Sequence, residues 1–184
     1  MIISNTQKFI FLKVPKTAGE SIVNALSEYT EKKYTNPDRG NHEKLDEILL
    51  DIPEVINYFK FTFVRNPWDL RVSRFHYLYQ TELKEKPPEF KEWCMRKSNW
   101  WPRNQINWFT FENKIKVDYI GRFENLQDDF NIISKKIGIS PQQLPFKNAS
   151  THKHYTEYYD DETREIVAEK YAKDIEMFGY EFGK

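Results

Sequence analysis

The chain of 184 residues has the length of one ordinary globular domain, and its 39% hydrophobic and 30% charged residues are typical of a protein that folds around a buried core. Its 28 Lys and Arg residues balance 28 Asp and Glu residues, so the formal net charge is +0. Bulk positive charge therefore gives no basis for binding nucleic acid or anionic lipid, and a basic site has to be local.

The single cysteine, Cys94, excludes an internal disulfide framework and a cysteine-based zinc cluster, and it fits a reducing compartment. No apolar run approaches the ~20 residues that span a bilayer. Residues 1–8 lack the charged start, long apolar stretch and small-residue cleavage site of a secretory signal. These observations predict an intracellular, cytoplasmic protein without a membrane span.

Strands and helices alternate along the sequence. The apolar segment Lys8–Val14 predicts a strand buried on both faces, and apolar residues at helical spacing predict a helix over Glu20–Thr30. A loop is expected over residues 31–41. The later elements are expected to be helix Glu43–Leu50, strand Phe59–Val64, helices Pro67–Tyr79, Glu89–Arg96 and Asn104–Phe109, strand Val117–Ile120 ending at Gly121, helix Glu124–Ile137, and a closing helix from the N-cap Asp160 towards Met177. This alternation predicts a single α/β domain over residues 1–184, with a mainly parallel sheet flanked by helices.

A turn of small residues, Pro15-Lys16-Thr17-Ala18-Gly19-Glu20-Ser21, follows the first predicted strand. Backbone N–H groups converge at the start of a helix, and small residues let an anion approach them. Lys16 would add a positive charge, and Thr17 and Ser21 would add hydroxyl donors. The alternative is a plain turn in which Thr17 or Ser21 only caps the helix. The arrangement is P-loop-like, but G-x-x-x-x-G-K-[ST] is absent, so this is not a nucleoside-triphosphate P-loop.

A second strand, turn and helix carry another candidate anion site. Arg65 stands at the predicted end of strand Phe59–Val64, where its guanidinium can bind a phosphate bidentately, and Ser73 can add a hydrogen bond from the next helix. Taken alone, Arg65 could equally be a surface charge or an ion-pair partner.

Both segments resemble motifs of the sulfotransferases that use 3′-phosphoadenosine 5′-phosphosulfate (PAPS). Residues 13–22 are similar to the 5′-phosphosulfate loop of the carbohydrate-type branch, P-K-T-A-G-x-S, and Arg65 with Ser73 is similar to the 3′-phosphate motif. The resemblance implies PAPS as the sulfuryl donor, 3′,5′-ADP as product and no required metal. It assigns donor binding to Lys13, Pro15, Lys16, Thr17, Ala18, Gly19, Glu20, Ser21, Arg65 and Ser73. Family members commonly have histidine at position 13 and threonine or serine at position 20, and a Glu20 carboxylate directed at the anion would repel it.

Two later segments extend the resemblance. Residues 117–126 are similar to a strand followed by a G-R-F-E-N-L turn, which implies a donor contact from Arg122. Residues 147–153 are similar to the segment that closes over the donor, which implies contacts from Ser150 and Lys153. The aromatic cluster of Trp100, Trp101, Trp108 and Phe109 either stacks on an acceptor or fills a core.

Sulfuryl transfer to an alcohol requires a base that removes the hydroxyl proton, and histidine has a pKa suited to this role. Among four histidines, His42 stands where the family has its catalytic histidine, although it also reads as an exposed residue at a helix start. Lys16 would neutralise charge on the departing oxygen. The implied enzyme transfers a sulfuryl group in line to a carbohydrate or small-metabolite hydroxyl. A non-catalytic nucleotide-binding relic and a small ATP-dependent kinase stay open as alternatives, and the sequence predicts no oligomeric state.

Overall fold

The structure is a computed structural model, and it describes residues 1–30, 32–33, 44–96, 104–111, 114–145 and 152–184. These residues form seven strands: β1 (Ile2–Ser4), β2 (Phe9–Leu12), β3 (Lys32–Lys33), β4 (Phe59–Val64), β5 (Thr110–Phe111), β6 (Lys114–Ile115) and β7 (Tyr119–Arg122). They also form seven α-helices: α1 (Gly19–Ala25), α2 (Leu45–Asp51), α3 (Pro67–Tyr77), α4 (Phe90–Met95), α5 (Leu126–Ile137), α6 (Asp161–Lys170) and α7 (Ala172–Phe178).

The chain divides into two compact units. Met1–Val64 and Gln105–Asn148 form the first, named here the sheet unit, and Arg65–Asn104 and Ala149–Lys184 form the second, named the helical unit. Each unit contains segments from two separate parts of the chain. The single domain over residues 1–184 stays a prediction.

The sheet unit contains a five-stranded sheet in the order β3-β1-β2-β4-β7. Strands β2, β4 and β7 run parallel, with Leu12 paired to Thr62 and Val64 paired to Arg122. The short strands β1 and β3 pair antiparallel at one edge. The predicted α/β class with a mainly parallel sheet is thus confirmed, whereas the loop expected over residues 31–41 is wrong at β3. The antiparallel pair of β5 and β6 was also not predicted.

The core of the sheet unit is aromatic along β2 and β4. The ring of Phe61 stacks on that of Phe11, with the centroids 5.2 Å apart, and helices α1 and α5 contribute further apolar residues. A Cβ added at Gly121 would lie 2.5 Å from the ring of Phe63. The predicted end of the strand at Gly121 is wrong: Gly121 lies inside β7, paired with Phe63 of β4, and its lack of a side chain leaves room for the Phe63 ring.

Helix α1 ends at Ala25, earlier than the predicted Thr30, and a 3₁₀ turn follows over Ser27–Tyr29. The Ser27 hydroxyl donates to the carbonyl oxygen of Asn24, and the Thr30 hydroxyl donates to that of Leu26. Such side-chain bonds to the backbone compete with continued helix. The helix predicted to end at Ile137 does so, and Gly138 closes it in the left-handed conformation.

The helical unit confirms the N-cap predicted at Asp160, whose Oδ1 accepts a hydrogen bond of 2.8 Å from the backbone N–H of Thr163. The predicted closing helix is interrupted at Tyr171, between α6 and α7. After α3 the chain continues as a π-helical turn over Leu78–Leu83. The ring of Phe75 contacts those of Phe90 and Trp93, which packs α3 against α4.

Candidate functional site

The turn between β2 and α1, residues 13–18, is named here the donor turn. Lys16 and Ala18 have φ angles of 66° and 61°, in the left-handed region, whereas φ of Thr17 between them is negative. A non-glycine residue costs about 1–2 kcal/mol in this region. Alternating backbone conformations of this kind direct successive N–H groups to one side and form an anion-binding concavity. The turn thus combines a strained backbone with the Lys16 side chain.

Neither candidate hydroxyl caps the following helix. The N-cap of α1 is Ala18, which makes no side-chain hydrogen bond there. Thr17 is fully buried, and its Oγ1 donates to the carbonyl oxygen of Val14 at 3.0 Å. Ser21 lies buried in the first turns of α1. The Thr17 hydroxyl is therefore used within the turn, and Thr17 can donate to an anion through its backbone N–H.

Lys13 and Glu20 form an ion pair across the donor turn. The Lys13 side chain is 13% exposed and that of Glu20 is 52% exposed. The lysine stem lies over Gly19, where an added Cβ would be 2.6 Å from Lys13 Cγ. The Glu20 carboxylate, which would repel an anion, is thus paired with the ammonium of Lys13 in the same turn. Glycine is required at position 19 because the Lys13 stem lies so close to its backbone.

In the helical unit, Arg65 is held by an acidic partner four residues later. Its Nε donates to Asp69 Oδ2 at 2.8 Å, and both side chains are mostly buried. The neighbouring Asn66 accepts a hydrogen bond from the backbone N–H of Trp68 and caps α3. Ser73 is buried in the same helix. The sequence left open that Arg65 is an ion-pair partner, and the structure shows such a pair with Asp69, four residues later.

Arg71 is not among the residues that the sequence assigned to the site, and it is almost completely buried in the helical unit. Its Cζ lies 3.8 Å from the centroid of the Trp93 ring, a cation–π contact, and burial lowers the pKa of the guanidinium. Burial also raises the pKa of the nearby Cys94 thiol to about 11. This arrangement is a packed interior around a single thiol, and it leaves Cys94 poorly nucleophilic.

Three of the four histidines lie in the helical unit. His76 Nε2 is 2.9 Å from the Tyr158 hydroxyl, and its ring stacks on that of His152 with centroids 5.0 Å apart. Burial, followed by the neighbouring His152, lowers the pKa of His76. His154 Nδ1 is 2.7 Å from the Thr156 hydroxyl. The predicted base His42 lies outside the described residues, as do Ser150, Trp100 and Trp101.

Two further predicted donor contacts have local partners. Arg122 ends β7, and its backbone N–H donates to Asp129 Oδ2 at 2.7 Å. The Lys153 ammonium is exposed and lies 3.6 Å from the Glu157 carboxylate. Among the described residues, no three His, Cys, Asp or Glu side chains are grouped so that they could hold a metal ion. No helix in the described part of the chain is long and apolar enough to cross a membrane.

A mixed α/β fold whose parallel strands lead into basic turns is typical of enzymes that bind phosphorylated ligands at strand ends. The chain belongs to the sulfotransferase family, whose sequence model matches residues 1–181. This membership confirms the predicted family and supports sulfuryl transfer in general. An uncharacterized protein from Archaeoglobus fulgidus is 38% identical over 92 residues, which cover 47% of this chain and 72% of that protein. No solved structure matches the chain significantly.

Proposed function

We propose that this protein transfers a sulfuryl group from PAPS to a hydroxyl of a carbohydrate or small metabolite, as the carbohydrate-type signature suggests. Family membership supports the transfer reaction itself. The observation that carries the choice of donor is the donor turn, where alternating φ angles and Lys16 suit a phosphate or sulfate group. Backbone strain of this kind clusters at ligand-binding sites, where the surrounding structure holds the strained residues in place.

The 5′-phosphosulfate is assigned to the donor turn and the start of α1. Lys13 and Lys16 supply positive charge, while the remaining residues contribute through their backbone or small size: Pro15, Thr17, Ala18, Gly19, Glu20 and Ser21. The backbone N–H of Glu20 can serve the anion because its carboxylate is engaged by Lys13.

The 3′-phosphate is assigned to Arg65 and Ser73. The Arg65 guanidinium suits a phosphate because of its fork geometry, and Asp69 fixes its orientation through Nε. Arg122, Ser150 and Lys153 are proposed as further donor contacts. This assignment rests on the order and spacing of the motifs in the sequence, together with the burial of Arg65 and Ser73.

In the proposed reaction, His42 accepts the proton of the acceptor hydroxyl as its oxygen bonds to sulfur. The bond between sulfur and the bridging oxygen breaks in line, its electrons remain on that oxygen, and Lys16 stabilises the charge that develops there. The products are the sulfated acceptor and 3′,5′-ADP. Positioning and electrostatic stabilisation account for catalysis in this scheme, and it includes no metal.

The direct test is incubation with PAPS and a panel of sugars and small alcohols, followed by mass analysis for an added sulfate. The wild-type protein should sulfate at least one class of acceptor. His42→Ala should bind 3′,5′-ADP normally while its turnover falls by roughly 10²–10⁴. Binding of PAPS without transfer to any acceptor would indicate a relic, and ATP-dependent phosphorylation would indicate a kinase. Unchanged turnover in His42→Ala would show that His42 is not the general base.

A further inference from the structure

The Lys13–Glu20 ion pair orders the Lys13 ammonium at the donor turn. Lys13 follows β2, Glu20 lies in the first turn of α1, and the intervening residues 14–19 include both left-handed residues. The lysine stem runs over Gly19 and is mostly buried, whereas the Glu20 carboxylate is half exposed. The side chain of Lys13 is therefore fixed at both ends, by its packed stem and by its charged partner.

Two physical effects of Glu20 on anion binding oppose each other. Its negative charge repels an anion in the turn, and solvent screens this effect because the carboxylate is half exposed. Its ion pair also orders a long, flexible side chain before the ligand arrives, which removes part of the ordering cost of binding. Because the Lys13 stem already packs over Gly19, the ordering by Glu20 concerns mainly the ammonium end of the side chain.

We infer that Glu20 is a positioning residue: through its ion pair it holds the Lys13 ammonium ready for the 5′-phosphosulfate of the donor. This inference rests on the proposed function. It assigns to Glu20 a role that its charge alone would not suggest. It also gives the donor turn a cation, Lys13, that a carboxylate orders in advance.

The first experiment measures the dissociation constant of 3′,5′-ADP by calorimetry for the wild type, Glu20→Gln and the matched control Glu28→Gln. Glu28 is an exposed acid of the same unit outside the donor turn, so its replacement changes net charge equally. Glu20→Gln should raise the dissociation constant by about 3- to 10-fold, the range expected when one side chain must be ordered on binding. Glu28→Gln should leave it within about twofold of the wild type.

The second experiment repeats Glu20→Gln in a Lys13→Met background. There is then no ammonium to position, so only the relief of repulsion remains, and Glu20→Gln should no longer weaken binding. A third variant exchanges the pair, Lys13→Glu with Glu20→Lys. This exchange rebuilds an ion pair, but the ammonium is then carried by position 20 and no lysine stem lies over Gly19. Binding of 3′,5′-ADP should therefore stay as weak as in Glu20→Gln. The thermal midpoint without ligand should instead return to the wild-type value.

The outcomes separate this inference from the proposed function. A wild-type protein that does not bind 3′,5′-ADP overturns both. A wild type that binds, with a Glu20→Gln variant that binds as tightly as Glu28→Gln or more tightly, overturns only the role of Glu20. Restored binding in the exchanged pair also overturns it, because the pair would then act only by bracing the turn.

Discussion

The donor turn of the sheet unit and the Arg65 segment of the helical unit use the same local device. In each, a cation directly after a strand is paired with an acid in the first turn of the next helix: Lys13 with Glu20, and Arg65 with Asp69. The pairs differ in burial, since Glu20 is 52% exposed whereas Asp69 is 16% exposed. Burial decides what each pair contributes, because an exposed pair is worth about 0.2–1 kcal/mol and breaking a buried pair costs several times more.

The largest expected effect is the removal of the buried cation. Arg65→Ala should weaken binding of 3′,5′-ADP by about 2–5 kcal/mol, because a desolvated charge partner of the phosphate is lost. The control is Arg74→Ala, in the same helical unit, whose guanidinium pairs with the Glu82 side chain, which is 35% exposed. Calorimetry on both variants checks this prediction. Equal affinities for the two variants would remove Arg65 from the donor site.

Removal of the buried acid should mainly affect folding. Asp69→Asn keeps a hydrogen-bond acceptor near Arg65 Nε but removes the charge, so the free energy of unfolding should fall by about 1–3 kcal/mol. Asp161→Asn is the matched control, because Asp161 pairs with Arg164 while almost fully exposed. Urea denaturation should show no measurable change for the control. A similarly small change in Asp69→Asn would mean that burial does not separate the two pairs.

A smaller effect is expected inside the donor turn. Thr17→Val removes the hydrogen bond to the carbonyl oxygen of Val14 with little change in shape, so the free energy of unfolding should fall by about 1 kcal/mol. Binding of 3′,5′-ADP should change little, because the hydroxyl is already used within the turn. If affinity falls by more than tenfold while stability is unchanged, the Thr17 hydroxyl itself contacts the ligand.

The smallest expected effect is a pH dependence confined to the helical unit. Burial and His152 lower the pKa of His76 in the folded protein, whereas in the unfolded chain histidine titrates near about 6.5. The unfolded state therefore binds more protons below that pH, and stability falls as the pH decreases through this range. His76 contacts Tyr158, His152 and Gln80. Between pH 7 and 5.5, the free energy of unfolding measured in urea should fall less for His76→Gln than for the wild type. Equal decreases would show that His76 does not cause the pH dependence.

The sequence predicted best those elements whose pattern is contained in one segment of the chain and extends over many residues. Strand β4 and the end of α5 lie at their predicted positions, because a continuous apolar run and a helix with a terminal glycine each carry their own signal. Strands β1 and β3 were missed because two or three residues show no periodicity, and they form only by pairing with one another and with β2. The extension of β7 through Gly121 depends on its pairing with Phe63 and Val64 of β4, which are distant in the sequence.

The same distinction applies to the candidate site. Residue types and spacing predicted one anion site in the donor turn and another at Arg65 and Ser73, because each motif is a short segment of the sequence, and both sites stay predictions. They could not predict that Lys13 crosses Gly19 to reach Glu20, because this contact depends on how the strand, turn and helix pack in three dimensions. Glu20 therefore looked unfavourable in the sequence and has a charged partner in the structure.

The choice of PAPS as donor is tested most directly by comparing thermal stabilisation by 3′,5′-ADP and by magnesium–ATP. At 100 times its dissociation constant a ligand adds about 2.7 kcal/mol, which should raise the unfolding midpoint by roughly 5–11 °C for a chain of this size. We expect this rise with 3′,5′-ADP and almost none with ATP. An equal or larger rise with ATP, or no rise with 3′,5′-ADP, would contradict the assignment.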